Sequence, residues 1–211
     1  FLGFGKMGQA IARGLRRSYS PAELTLTVYD VVVPDADVQA AIPRLQLVES
    51  PVALENACDV LILAVKPVDM PAALADMTGS KQYISIAAGL STAQIAACFP
   101  TGKPQISRVM PNISAISGHG VSGIFCPDDA FFSVSGEIFS AVGHAVRVKR
   151  EDLMHAVTGL SGSGPAYVLA MVHALAEGGV AAGLPFDTAL ALARETVLGT
   201  AALLRDSDLH P

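Results

Sequence analysis

A glycine motif at the start of the chain restricts the fold more than any other feature. Gly3, Gly5 and Gly8 fit the pattern G-x-G-x-x-G between a short apolar run and a helical pattern. Gly3 permits a tight turn, Gly5 lets a pyrophosphate approach the backbone, and Gly8 lets the helix pack close to a sheet. The start of such a helix also offers amide groups and a positive dipole to phosphates. The predicted dinucleotide-binding residues are therefore Gly3, Phe4, Gly5, Lys6, Met7 and Gly8.

An acidic residue supports this interpretation, because the motif alone also fits a tight turn in an unrelated α/β protein. Asp30 ends the second predicted strand, about 20 residues after the glycines, where a carboxylate can accept hydrogen bonds from an adenosine ribose. The same charge disfavours a 2′-phosphate, and no arginine follows closely, so local charge favours NADH over NADPH. A plain turn former after a strand is the alternative interpretation of Asp30.

Short apolar runs alternate with helical segments through the first two thirds of the chain. The predicted strands are Phe1–Leu2, Leu24–Tyr29, Leu45–Val48, Val60–Val65, Tyr83–Ala87, Gln105–Val109, Val121–Phe125 and Ala145–Val148. Serines at positions 20, 50 and 91 have the spacing of helix starts, either before a proline or three residues before Glu or Gln. Strands that alternate with helices over short links predict an α/β fold, with a doubly wound, mostly parallel, Rossmann-like sheet.

The strand pattern stops near residue 150, and only helical periodicity follows. We therefore predict a dinucleotide-binding domain over residues 1–150 and a helical domain over residues 151–211. A tail of about 60 residues is too small to bury its own core, so we expect it to dock on a second subunit as a homodimer or larger homo-oligomer. The apolar stretch Gly164–Ala176 is too short for a membrane span and predicts a buried helix.

Composition excludes several classes of function. Hydrophobic residues make up 51% of the chain, and a net charge of -5 without a basic stripe argues against a nucleic-acid partner. The three cysteines and five histidines lack metal-ligand spacing, so we predict no metal site, and His173 is interpreted as a core or packing histidine. We expect a cytoplasmic protein without a signal peptide, whose first strand is cut short at Phe1.

Two later strands end in residues that fit a ligand site, because ligands of such sheets bind at the carboxyl ends of the strands. Ala64, Val65, Lys66 and Pro67 end the fourth predicted strand, and Lys66 suits either a phosphate or ribose contact or a solvated turn. Asn112 ends the sixth and suits the nicotinamide carboxamide or the substrate, with an Asx-turn as the alternative.

Residues 158–165 carry the most informative pattern of the tail. Small and hydroxyl residues run into Gly164-Pro165, and an apolar helix follows at once. Ser163 is the predicted N-cap and Pro165 lies in the predicted first turn. Amide groups and hydroxyls at a helix start suit a carboxylate ligand. A Gly/Ser linker is the alternative, although it does not explain why an apolar helix begins immediately.

Taken together, these segments resemble pyrroline-5-carboxylate reductases. The segments that carry the resemblance are Phe1–Gly8, Ala64–Pro67, Ser85–Gly89, Met110–Asn112, Ala156–Tyr167, Gly178–Val180 and Gly183–Pro185. The resemblance covers essentially the whole chain. Its segment from Thr158 to Tyr167 is highly specific, whereas many dehydrogenases share the glycine pattern.

The resemblance implies a Rossmann-like domain, a C-terminal helical dimerisation domain, and reduction of 1-pyrroline-5-carboxylate to L-proline with NADP or NAD as cofactor. Because many members use NADPH while the local charge favours NADH, we expect this chain to use both cofactors with a preference for NADH. It implies that residues 64–67 together with Ile86, Ala87 and Ala88 line the ribose and nicotinamide. It places Thr158 near the substrate and aligns Asp208 with an acidic residue of the family. The predicted catalytic residues are therefore Thr158, Ser163 and Asp208.

The chain departs from the family in three places. It stops at Pro211, before a Ser-Pro-Gly-Gly-Thr-type loop that grips the substrate carboxylate in the family. Ile113-Ser114 stands where the family usually has Thr-Pro, and Asp208 is Glu in some members.

Two other functions stay open at this point. A β-hydroxyacid-type dehydrogenase needs a catalytic lysine on the first helix of its helical domain, and residues 166–177 contain none. A non-catalytic NAD(P)-binding redox sensor would bind the cofactor without turnover. The reductase chemistry itself asks little of the protein, because a protonated cyclic imine is already a good hydride acceptor and needs mainly to be positioned.

Overall fold

The computed structural model of the chain describes residues 1–207, and Asp208 lies outside the described residues. The strands are Leu26–Val28 (β1), Leu45–Leu47 (β2), Val60–Leu63 (β3), Gln82–Ser85 (β4), Gln105–Met110 (β5), Gly120–Phe125 (β6) and Gly143–Arg147 (β7). The α-helices are Lys6–Ser18 (α1), Ala36–Ala40 (α2), Pro51–Ala57 (α3), Met70–Leu74 (α4), Thr92–Ala96 (α5), Asp129–Ser140 (α6), Met154–Val157 (α7), Gly164–Ala181 (α8) and Phe186–Arg205 (α9). Short 3-10 helices span Pro67–Asp69, Ile113–Ser117 and Glu151–Leu153, and a π-helix spans Thr158–Gly162.

The strands form a mostly parallel sheet, as the sequence predicts. Strands β3 to β7 lie side by side in chain order, and β1 pairs with β2. Leu2 forms parallel bridges to both Tyr29 and Leu63, so the first residues of the chain lie between the two sets of strands. Among the strand pairs of residues 1–207, only β5–β6 is antiparallel, with Val109 opposite Ile124. The Rossmann-like α/β fold is therefore confirmed, with one reversal that the strand–helix alternation did not reveal.

Both faces of the sheet are buried. Ile62 and Ile84 belong to an apolar cluster that includes residues of α1 and α6. Leu61, Leu63 and Tyr83 belong to a second cluster with residues of α3 and α4. Because successive side chains of a strand point to opposite faces, the unbroken apolar run of β3 packs on both sides.

Two of the three predicted helix starts are confirmed. Ser50 accepts a hydrogen bond from the backbone of α3, and Ser91 forms a complete capping box with Gln94 at the start of α5. The prediction at Ser20 is wrong, although its backbone N–H donates to Glu23 Oε2 at 2.8 Å. This segment forms a turn, because β1 follows too soon for a helix to propagate.

The chain divides into two compact units, Phe1–Gly162 and a second that begins at Ser163. The domain boundary predicted at residue 150 stays a prediction, and the segment from 151 to 162 belongs by its contacts to the first unit. In the second unit, α8 and α9 form a helical hairpin around Ala176, Ala189 and Ala193. A Cβ atom on Gly179 would lie 2.9 Å from the Ala189 Cβ, so glycine is what lets the helices approach.

The hairpin leaves most of its large apolar side chains exposed. Those on α8 and α9 are Tyr167, Val168, Leu169, Met171, Leu175, Val180, Phe186, Leu192, Leu198, Leu203 and Leu204. The prediction of a buried helix over residues 164–176 is therefore wrong for the single chain, since two helices cannot cover each other on all sides. His173 is not a core residue, because its side chain is 62% exposed and lies 3.4 Å from Glu177. It is a packing residue instead, since its ring centroid lies 6.5 Å from that of Phe186.

None of the helices within residues 1–207 has the length and apolar character needed to cross a bilayer.

Candidate active site

The glycine loop has the geometry that its motif predicts. Gly3 has φ of +88°, and a Cβ atom there would lie 2.9 Å from backbone atoms of both Ala64 and Val65. A Cβ on Gly8 would lie 3.2 Å from the Gly3 carbonyl oxygen, whereas one on Gly5 would meet nothing within 4 Å. Gly3 and Gly8 are thus glycines because the surrounding backbone leaves little room for a side chain. Gly5 has no such neighbour, so its face is open to a ligand.

The first turn of α1 lies beside this open face. Gly5 occupies the N-cap position without a side-chain cap, and the first turn contains no acidic residue. Lys6 is exposed, and Met7 is partly buried against the core. Amide groups at the start of a 13-residue helix, with no carboxylate to satisfy them, fit the phosphates of a dinucleotide.

Asp30 uses both carboxylate oxygens within the protein. Its Oδ2 accepts from the backbone N–H of Phe4 in the glycine loop, and its Oδ1 accepts from the N–H of Val32 at 2.9 Å. The second bond is the turn geometry that was the alternative interpretation, yet the first places the carboxylate against the phosphate-binding loop. The three valines that follow, Val31, Val32 and Val33, are exposed by 87%, 73% and 70%.

The loops that follow β3 and β4 lie side by side near the glycine turn. The Ile86 N–H donates to the Leu63 carbonyl at 3.2 Å, which fixes the two loops relative to each other. Ala64 and Val65 are half-buried against Gly3, and the Lys66 side chain is exposed. Among the other predicted lining residues, Ala87 is buried, whereas Pro67 and Ala88 are exposed.

Asn112 is buried and ties three segments together. Its Nδ2 donates to the Ser161 carbonyl at 3.1 Å, and its Oδ1 accepts from the Val121 N–H at 3.2 Å. These partners are 49 and 9 residues away, so the Asx-turn alternative is wrong. The amide connects the end of β5 to β6 and to the π-helix that carries Thr158.

The π-helix has its own hydroxyl contacts. Thr158 Oγ1 donates to the Met154 carbonyl at 2.9 Å, and Ser161 Oγ donates to the Val157 carbonyl at 3.1 Å. A Cβ on Gly162 would lie 2.8 Å from Met110, so this glycine lets the π-helix pack against the end of β5. Single π-helical turns are rare and frequently lie at functional sites.

Ser163 occupies the N-cap position of α8, as the sequence predicts, and Pro165 is in the first turn. The Ser163 backbone is helical, with φ of -87° and ψ of -19°, whereas most N-cap residues are extended. Its predicted role toward a carboxylate stays a prediction.

Sequence reasoning missed an ion pair. The Arg108 side chain in β5 is 4% exposed, and its Nη1 lies 3.6 Å from Glu151 Oε1. Glu151 also accepts from the N–H of Thr92 at 2.6 Å and from its hydroxyl at 3.0 Å. An arginine inside the otherwise apolar end of a strand was the one signal that pointed to it.

Within residues 1–207, no group of three or more His, Cys, Asp or Glu side chains is arranged to hold a metal ion.

Comparisons with known proteins agree with this geometry. A family model described as pyrroline-5-carboxylate reductase dimerisation matches residues 151–211, and one described as NADP oxidoreductase, coenzyme F420-dependent, matches residues 1–89. A pyrroline-5-carboxylate reductase of Methanosarcina acetivorans is 40% identical over 223 residues, covering 100% of this chain and 80% of that relative.

Solved structures of pyrroline-5-carboxylate reductases also match this chain over nearly its whole length. A pyrroline-5-carboxylate reductase from Coxiella burnetii matches with a TM-score of 0.86 at 28% identity, covering 100% of this chain and 80% of the other. A pyrroline carboxylate reductase from Plasmodium falciparum, solved with NADP bound, matches with a TM-score of 0.82 at 26% identity. This match covers 99% of this chain and 79% of the Plasmodium chain.

Proposed function

The chain belongs to the pyrroline-5-carboxylate reductase family, and from this premise we propose that it reduces 1-pyrroline-5-carboxylate to L-proline, the last step of proline biosynthesis. The observation that carries the proposal is the 40% identity to the Methanosarcina acetivorans reductase along the entire chain. The bound cofactor, NADPH or NADH, supplies the hydride for this reaction. What remains for the protein is to hold the cofactor, orient the imine and keep water away from the reacting carbon.

The glycine loop and the start of α1 hold the pyrophosphate of the cofactor. Gly5 leaves its face open, the first turn of α1 has no carboxylate, and Lys6 is exposed beside it. Asp30 orders this loop through the N–H of Phe4 and places a negative charge beside it. The loops after β3 and β4 continue along the same edge of the sheet. Their residues Ala64–Pro67 and Ile86–Ala88 line the nicotinamide half of the cofactor.

Thr158 orients the substrate. Its hydroxyl proton is donated to the Met154 carbonyl, so the oxygen can accept a hydrogen bond from a protonated imine nitrogen. A threonine hydroxyl is too weak an acid to protonate the imine, and this chemistry does not require it to. Ser163 and Asp208 stay predicted contributors, the first through a helix start that suits a carboxylate.

The chain forms a homo-oligomer, in keeping with the dimerisation model that matches residues 151–211. We propose that the smallest assembly is a homodimer joined through the exposed apolar side chains of α8 and α9. A helical hairpin with three buried alanines has too little core to be stable alone.

A reducing cytoplasm, expected from three unpaired cysteines, stays a prediction that cell fractionation would test.

One assay separates this proposal from a redox sensor that only binds the cofactor. Full-length protein is mixed with NADH or NADPH, and cofactor absorbance is followed before and after pyrroline-5-carboxylate is added. The reductase consumes cofactor only when substrate is present, and proline accumulates in equal amount. Cofactor binding without any consumption would reject the reductase in favour of the sensor.

A further inference from the structure

The ion pair between Arg108 and Glu151 lies outside every segment that the sequence analysis assigned to the site. We propose that these two side chains are positioning residues for hydride transfer, which hold the loop after β4 at a fixed distance from the π-helix that carries Thr158. The proposal rests on the proposed function and adds two residues and a physical role to it.

The buried position of Arg108 requires a counter-charge. Its register neighbours are Ser85 on β4 and Phe125 on β6, so the arginine is in the middle of the sheet, and its side chain is 4% exposed. A buried guanidinium is unstable without a counter-charge. Glu151, at 3.6 Å, supplies that charge from the 3-10 helix that precedes α7.

The carboxylate of Glu151 also binds the start of α5. Thr92 is the first residue of α5, and its N–H is one of the amide groups that have no partner inside the helix. Glu151 accepts from this N–H at 2.6 Å and from the Thr92 hydroxyl at 3.0 Å, across 59 residues of sequence. A carboxylate at a helix start is also favoured by the helix dipole.

These contacts make Glu151 a junction between two parts of the site. Residues 86–91 form the loop from β4 to α5, which is held at one end by the Ile86 N–H and at the other by Glu151. From Glu151 the chain runs through the 3-10 helix, α7 and the π-helix without a break to Gly162. Asn112 fixes the far end of that run through the Ser161 carbonyl.

Hydride transfer depends steeply on the distance between donor and acceptor atoms. A misplacement of about 1 Å by a change away from the reacting groups can cost roughly a hundredfold in rate. Loss of the ion pair frees the loop after β4 from the π-helix, so turnover falls. Cofactor affinity changes much less than turnover, because the glycine loop and α1 hold the phosphates elsewhere along the sheet edge, whereas residues 86–88 line only the nicotinamide half.

The kinetic test compares the buried Arg108–Glu151 pair with the exposed Arg150–Asp152 pair next to it. Glu151→Gln and Arg108→Met lower kcat roughly ten- to a hundredfold and raise the isotope effect measured with C4-deuterated cofactor, while the cofactor Kd stays close to wild type. Arg108→Lys keeps the charge and recovers part of the loss. The matched controls are Asp152→Asn and Arg150→Met, an exposed pair beside Glu151, and they leave kcat and the isotope effect unchanged.

Amide hydrogen exchange on the cofactor-free protein tests the same proposal without turnover. Glu151→Gln accelerates exchange in residues 86–96 and 151–162 and leaves the rest of the first unit unchanged, and Asp152→Asn changes neither segment. Uniform acceleration over the whole unit would show a role in folding stability alone and overturn the proposal, as would unchanged exchange in both segments. If wild type does not reduce pyrroline-5-carboxylate, the proposed function fails while this measurement still decides whether Glu151 couples the two segments.

Discussion

Replacement of Asp30 separates two effects that the structure combines in one carboxylate. The charge lies beside the glycine loop, where it disfavours the 2′-phosphate of NADPH. The carboxylate oxygens also accept from the backbone N–H groups of Phe4 and Val32, which orders the loop for either cofactor. Asp30→Asn removes the charge but keeps one acceptor oxygen, whereas Asp30→Ser removes the charge and shortens the reach of the acceptor.

The charge effect is modest because Asp30 is only half-buried. A phosphate within about 4–6 Å of a carboxylate in a largely aqueous environment is disfavoured by about 1–2 kcal/mol. That corresponds to roughly a five- to thirtyfold preference for NADH in kcat/KM. The hydrogen bond from the Phe4 N–H to Asp30 stabilises the ordered glycine loop by about 1.5–3 kcal/mol. Loss of this bond weakens the binding of both cofactors equally.

The assay is kcat/KM for NADH and NADPH in wild type and both variants. We expect wild type to prefer NADH, Asp30→Asn to lose most of that preference at nearly full NADH activity, and Asp30→Ser to lose the preference and also weaken both cofactors. Wild type that prefers NADPH would refute the charge argument. An unchanged ratio in both variants would refute it as well and leave Asp30 with the loop contact alone.

Three further variants test the substrate side, the assembly and the stability of the first unit. Thr158→Ala lowers kcat roughly two- to tenfold and leaves the cofactor Kd unchanged, because one hydrogen bond to the substrate is lost. Leu169→Lys together with Leu198→Lys places charges among the exposed apolar side chains of α8 and α9, which are 68% and 62% exposed, and light scattering shows a shift from dimer to monomer. Glu55→Gln lowers the free energy of unfolding by about 1–3 kcal/mol, measured by urea denaturation, because the buried carboxylate accepts from Thr78 and Gly79 and from the Tyr83 hydroxyl.

The Glu55 contribution also depends on pH. Burial raises the pKa of Glu55, but the hydrogen bonds from Thr78, Tyr83 and Gly79 outweigh it, so the pKa is lowered from its ordinary value. A lowered pKa means that the stabilisation is present in full above the ordinary value and is lost as pH falls through the lowered one. Wild type therefore loses its advantage over Glu55→Gln in acid, and an advantage that is constant with pH would contradict this.

Each of these substitutions has a control. Thr158→Ser keeps the hydroxyl and should retain most of the activity, so equal losses in serine and alanine variants would argue against a hydrogen bond. Leu47→Lys changes an exposed leucine outside the helical hairpin and should leave the dimer intact. Glu49→Gln removes an exposed carboxylate near Glu55 in the sequence and should not change stability. A monodisperse wild-type monomer at micromolar concentration would reject the dimer.

Features that depend on a residue and its near neighbours were predictable from the sequence. The positive φ of Gly3, the capping box of Ser91 and Gln94 and the fully apolar strand β3 all follow from local spacing. The segment around Thr158 was specific enough to indicate the family. These local features were enough to predict the fold class.

Features that depend on tertiary neighbours were not predictable. Nothing in the spacing reveals that β6 runs antiparallel to β5, or that Asn112 bonds to a carbonyl 49 residues away. The junction at Glu151 is similar, since its partners lie on two different strand–helix units. The exposure of α8 was also missed, because an apolar helix has the same pattern whether its own chain or a second subunit covers it.

The most direct test of the central claim follows the hydride itself. Full-length protein is incubated with NADH or NADPH that carries deuterium at both C4 positions and with pyrroline-5-carboxylate, and the product is isolated and examined by mass spectrometry and NMR. The proposed reaction predicts L-proline with one deuteron on Cδ, the former imine carbon, and one cofactor oxidised for each proline formed. Proline without deuterium, or oxidised cofactor without proline, would contradict the assignment.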